Sequence, residues 1–125
     1  MLDVLRNFYR PPTPAQKAAD LATVNAGGEL LVACWLIPEP TGEHVRAYPH
    51  GHLHVFRDRI VWKGGRKHPD RTFLRGEWMV RISPPKNSFV KFGIVSLVNQ
   101  SNTRDHQELR VPTPDLALVH AVMSD

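Results

Sequence analysis

His50, His52 and His54 occupy alternate positions of the run His50-Gly51-His52-Leu53-His54-Val55-Phe56. In an extended strand that spacing puts three imidazoles on one face. Imidazole titrates near neutrality, so such a row could hold a metal, move protons or attack an electrophilic centre. For a metal, no cysteine or carboxylate close in sequence completes a ligand shell, because Asp58 falls beyond the following turn. Neither a metal nor another cofactor is therefore expected. A plainer account serves as well: Leu53 and Val55 take the core side, and the histidines between them face solvent.

A second candidate is electrostatic. The thirteen residues Lys63 to Arg75 (KGGRKHPDRTFLR) hold five bases, Lys63, Arg66, Lys67, Arg71 and Arg75, against the single acid Asp70. That window carries +4, the same excess that the whole chain shows with 16 bases and 12 acids. Gly64-Gly65 can adopt positive φ and turn successive amides toward an anion, while Arg66, Lys67 and Arg71 add charge-assisted hydrogen bonds. Near an anionic membrane each base contributes roughly 1 kcal/mol, so the attraction is weak and salt-sensitive. Trp62 borders the window, where an exposed indole could stack or dip into an interface. The expected binding set is thus Lys63, Arg66, Lys67, Arg71, Arg75 and Trp62. Against it stand a merely solvated loop and, for Trp62, packing in the core or at a barrel mouth. Trp35 and Trp78 read as core residues.

Other chemistry finds little support. Gly27-Gly28 and Gly64-Gly65 lack the Lys-Ser/Thr sequel of a phosphate loop, and no dinucleotide fingerprint occurs. Cys34 is the only cysteine and has apolar neighbours, which suits a buried thiol in a reducing compartment rather than a nucleophile. His106 beside Asp105 reads as a solvated pair.

These groups must be positioned by one domain. The chain has 125 residues, of which 42% are hydrophobic and 22% charged, enough for a single core. Its longest apolar stretch, Leu30 to Ile37, is far short of the about twenty residues that span a bilayer. The opening MLDVLRNFY mixes charge into a run too short for a secretory signal. A cytoplasmic protein, at most peripheral to a membrane, is expected.

Leu2, Leu5, Phe8 and Tyr9 could line a short helix that Pro11, Pro12 and Pro14 terminate. That segment would pack on its own domain or serve a second subunit, so a homo-oligomer contact enters as an expectation. Thr13, Pro14 and Gln16 form a capping-box start for a helix to about Asn25, stopped by Gly27-Gly28. Residues 1–28 therefore form an N-terminal helical extension. Leu30 to Ile37 is apolar at both parities, as in a strand covered on both faces. Val45 to Tyr48 is a short strand candidate. His52 to Phe56 and Ile60 to Trp62 flank the turn Arg57-Asp58-Arg59. Leu74, Gly76, Trp78, Val80 and Ile82 alternate with Arg75, Glu77, Met79 and Arg81, predicting one half-buried strand. Val90, Phe92, Ile94 and Val98 mark the inner side of another, and Leu109 with Val111 a last one. Thr113 as cap, Pro114 and Asp115 open a closing helix over about 114–123, with Leu116, Val119, Val122 and Met123 on one stripe. The fold class is mainly β: about six or seven antiparallel strands and a C-terminal helix over residues 29–125.

The run Gly51 to Trp62, the later strands and the capped helix from Thr113 resemble the pleckstrin-homology-like superfamily, in particular its short bacterial and GRAM-like members. The resemblance implies a split barrel plugged at one end by the last helix, and a non-catalytic binding or assembly module. Its partner would be a protein or an anionic lipid headgroup. The phosphoinositide-binding members carry a Lys-rich signature after their first strand, whereas the basic window here follows a later one. No headgroup site is transferred on that ground. Separately, the histidine run resembles the motif of the histidine-triad nucleotide hydrolases, which implies His52 as nucleophile flanked by His50 and His54. Gly51 departs from that motif, where an apolar residue belongs. Weak nucleic-acid binding through the basic window is a third and lesser alternative.

Overall fold

A computed structural model describes residues 13–37, 49–85 and 91–124. The strand expected at Val45 to Tyr48 and the apolar face of Leu2, Leu5, Phe8 and Tyr9 lie outside these residues. The first described element is helix α1 (Pro14–Asn25). Its capping box forms as the sequence predicts: the Thr13 amide donates to Gln16 Oε1 (2.9 Å) and the Gln16 amide to Thr13 Oγ1 (3.2 Å). Gly27, at φ +95°, turns the chain out of the helix. Val24 is fully buried and joins the main core.

Among the described residues seven antiparallel strands follow: β1 (Leu30–Ile37), β2 (His50–Val55), β3 (Arg59–Lys63), β4 (Arg71–Leu74), β5 (Trp78–Ser83), β6 (Phe92–Asn99) and β7 (His106–Pro112). They form one sheet in the order β4-β3-β2-β1-β7-β6-β5, curled into a half-barrel. Two meanders make it up, β1 to β4 and β5 to β7, each with sequential neighbours paired. Pairing of Trp35, Leu36 and Ile37 with Arg110, Leu109 and Glu108 joins the meanders through β1 and β7.

Two expectations about strands need correction. The alternation from Leu74 to Ile82 is not one strand, since the chain turns at Gly76 (φ +87°) between β4 and β5. The buried parity changes across the turn, from Phe73 in β4 to Trp78 in β5, and the two rings meet edge to face at 4.9 Å, while Leu74 is exposed. The inner side of β6 is also the opposite parity. Val95 and Leu97 are fully buried, whereas Phe92, Ile94 and Val98 are only half-buried on the outer face. Gly93 makes that possible, because a side chain there would press on Leu116 and approach Ser83 O at 2.9 Å.

The closing helix comes in two parts, a 3₁₀ turn at Thr113–Asp115 and α2 (Leu116–Met123). Thr113 does not cap it: the start shows no side-chain cap hydrogen bond, and Thr113 Oγ1 is buried without a partner among the described residues. Leu116, Val119, Val122 and Met123 are buried as expected, and α2 packs on β5, β6 and β3. Burying each of these side chains stabilises the fold by about 1.5–3 kcal/mol. Cys34 is fully buried, and its burial pushes the thiol pKa far up, so the sulfur stays protonated. Among the described residues no helix is long and apolar enough to cross a membrane.

Candidate functional site

The positively charged window divides into three parts. Lys63 ends β3, residues 64–70 form the loop proper, and Arg71 to Leu74 are strand β4. The loop is therefore shorter than the thirteen residues read from charge alone. Its base is fixed by packing. Trp62 is fully buried and donates its indole N–H to the Cys34 carbonyl at 3.2 Å. Gly64 lies against the Trp62 ring so closely that a Cβ there would overlap it, and His68 meets the ring edge to face at 6.0 Å. Gly65, at φ +88°, then lets the chain bend away. Lys63, Arg66 and Lys67 stand exposed on this base. No ion pair or hydrogen bond between described residues engages their side chains.

Two members of the expected binding set are spent elsewhere. Trp62 presents no indole to solvent, because a hydrophobic ring with a satisfied N–H is more stable inside. Arg71 crosses the concave side of the sheet. Its Nη1 donates to Gln107 Oε1 at 2.9 Å, and its Nη2 reaches Asp105 Oδ1 at 3.3 Å. Gln107, only 7% exposed, passes its own N–H bonds to the carbonyls of Ile37 and Glu108. Arg71 thus ties the edge strand β4 to β7. Arg71→Ala leaves Gln107 Oε1 buried without that donor and is expected to cost about 1–3 kcal/mol. Urea unfolding would measure it, and an unchanged midpoint would show the contact to be idle. Arg75 is exposed beyond β4, where its amide donates to the Asp58 carbonyl.

The histidine run forms β2, with Gly51, Leu53 and Val55 buried and His50, His52 and His54 on the outer face. Solvent-side imidazoles on a half-buried strand are what the alternation predicts. His54 Nδ1 pairs with Glu29. His50 leans on Trp35 (ring centroids 4.7 Å) and on His52 (5.7 Å). Partial burial, followed by the neighbouring His50 and His54, holds the His52 pKa below its ordinary value. Among the described residues no group of three His, Cys, Asp or Glu is placed to hold a metal ion.

Gly51 has a packing reason. A Cβ at this position would collide with the Lys63 carbonyl oxygen and lie 3.0 Å from Gly64 Cα. The strand therefore has no room for the apolar residue that the histidine-triad motif carries there.

Two features were not read from the sequence. On the outer face Arg110 lies over Phe92 at 4.3 Å and over Trp35 at 5.9 Å, while Trp35 meets Phe92 edge to face. Trp35 is accordingly half-buried outside the core, contrary to expectation. Its strand is apolar at both parities and offers no alternation to orient it. The second is an apolar cavity of about 230 Å³ between α1 and α2, lined by Leu21, Pro114, Leu118 and Ala121 with Lys17 and Asp20. Helices from opposite ends of the chain build it, so no local pattern announces it. No protein-family model matches this chain, and no curated protein matches it either.

Proposed function

We propose that this protein is a non-catalytic, pleckstrin-homology-like binding module that holds an acidic segment of a protein partner on Lys63, Arg66 and Lys67. The carrying observation is that these three bases are exposed on a loop whose root is locked by Trp62 and Gly64. Cations that no described residue engages can meet a ligand without breaking a pair to any described residue. A rooted loop also loses less conformational freedom on binding than a free one. Supporting the family reading, a curled seven-stranded antiparallel sheet with a C-terminal helix packed on it is the arrangement the resemblance implies. Three bases at roughly 1 kcal/mol each make a weak hold on a membrane alone. A protein segment adds shape and apolar contact to the same charges, which favours it as occupant.

The test is charge reversal. Arg66→Glu with Lys67→Glu is expected to weaken binding of a poly-aspartate peptide at least about tenfold at low salt, with the thermal midpoint nearly unchanged. Titration calorimetry would read the affinity. Equal binding by the reversed variant removes the proposal. Stronger binding to anionic vesicles than to the peptide, abolished by the same reversal, moves the site to a membrane. A steep fall of affinity for single-stranded DNA with salt, where the peptide fails to bind, assigns it to nucleic acid.

A further inference from the structure

The basic loop and the histidine row are separate in this sequence, but the sheet makes them neighbours. His52 is paired directly with Lys63 in the β2–β3 ladder, so the imidazole and the first exposed base share the outer face. Gly51, between His50 and His52, lies close against the Lys63 carbonyl and Gly64 at the loop's root. The row and the loop therefore form one strip.

That strip is short of negative charge. From β1, the residues opposite His54, His52 and His50 are Leu31, Ala33 and Trp35, none of them ionisable. From β3, those opposite His54 and His52 are Val61 and Lys63. Arg110 of β7 lies beyond Trp35. The loop adds Arg66, Lys67 and His68, with Asp70 as its one acid. Glu29, the carboxylate just before β1, is taken by His54. A proton arriving on His50 or His52 thus meets cations or neutral groups from both flanking strands. Among the described residues no acid of either flanking strand supplies its countercharge, and an acidic ligand would do so.

We propose that His50 and His52 extend the Lys63, Arg66 and Lys67 surface, so that an acidic peptide segment laid along both is held more tightly on mild acidification. The inference rests on the proposed function and adds the second half of its site and a control by pH. The sign follows from linkage. In the free protein His52 already has a depressed pKa, from partial burial and from His50 and His54, so its neutral form is favoured. Folding stability from this group is present above the ordinary imidazole range and is lost as pH falls through the depressed value. A bound polyanion stabilises the imidazolium and raises that pKa, and reciprocity then makes protonation raise affinity. Carboxylates of the peptide titrate near pH 4 and stay charged throughout.

Calorimetry with unlabelled poly-aspartate, at constant ionic strength and at about pH 7.5 and about pH 5.5, reads the effect across the imidazole range. Wild-type affinity is expected to rise about tenfold at the lower pH. In the double variant His50→Gln and His52→Gln the rise should shrink below about twofold, whatever the affinity at the higher pH. An unaltered rise in that variant overturns the inference, as does a wild-type protein that binds at the higher pH and gains nothing at the lower. Indifference of binding at the higher pH to Arg66→Glu with Lys67→Glu instead strikes the proposed function, and the inference goes with it. Melting curves of the histidine variant at both pH values confirm that the fold compared is the same.

Discussion

Trp62→Ala is expected to lose about 3–5 kcal/mol of stability, enough to unfold a large part of a marginal domain. Among the described residues the indole is the largest fully buried side chain, and truncation opens a void in the core. It also leaves the Cys34 carbonyl without the indole N–H. The consequence reaches the loop, since Gly64 and His68 both pack on this ring. Trp62→Phe separates the effects. It keeps most of the packing and removes the hydrogen bond, with an expected loss nearer about 1–2 kcal/mol. Chemical denaturation of the two variants would show the difference, and similar losses for both would mean that the hydrogen bond outweighs the packing. Poly-aspartate binding by the folded Phe variant should stay within about twofold of wild type, because the bases themselves are untouched.

Gly51→Val is the second large effect, and it acts through space rather than backbone conformation. Among the described residues positive φ occurs only at Gly27, Gly65 and Gly76, so glycine is required at position 51 by its neighbours alone. A side chain there meets the Lys63 carbonyl and Gly64 Cα, both backbone, which cannot swing aside like the tip of a side chain. Overpacking of this kind costs about 1–3 kcal/mol, with Val at the upper end and Ala lower. The strain is relieved by moving β3 away from β2 at the loop's root. Binding should fall together with stability, whereas Arg66→Glu and Lys67→Glu leave stability alone. A Gly51→Val protein that melts and binds like wild type would show that the β2–β3 approach is loose.

The local elements were legible because their causes are local. Thr13 and Gln16 announce α1 through a box that needs only three residues of spacing. Leu53 and Val55 reveal the facing of β2 by their alternation, and the stripe Leu116, Val119, Val122 and Met123 reveals the buried side of α2. The misread positions share one cause, a distant partner. Arg71 looks like any other base of the window until Asp105 and Gln107 arrive from more than thirty residues away. Trp62 looks available until the Cys34 carbonyl meets it from β1. In β6 both parities carry apolar residues, and the choice of Val95 and Leu97 for the core depends on α2 sitting over Gly93. The continuity of the basic loop with the histidine row depends on the β2–β3 register, which pairs His52 with Lys63. Charge counting locates the bases but not this neighbour.

The tight connection at Arg75 to Glu77 links the sheet's two margins, which are next to each other in sequence and last in strand order. Each meander can form from hairpins that search only short distances, whereas the β1–β7 junction brings together residues more than seventy positions apart. Closing that junction is the non-local event, and the entropy of so long a loop must be overcome before its contacts reward it. The seam between the two halves is thus the contact of longest sequence separation in the sheet, while the short corner at Gly76 keeps the two margins within reach of each other.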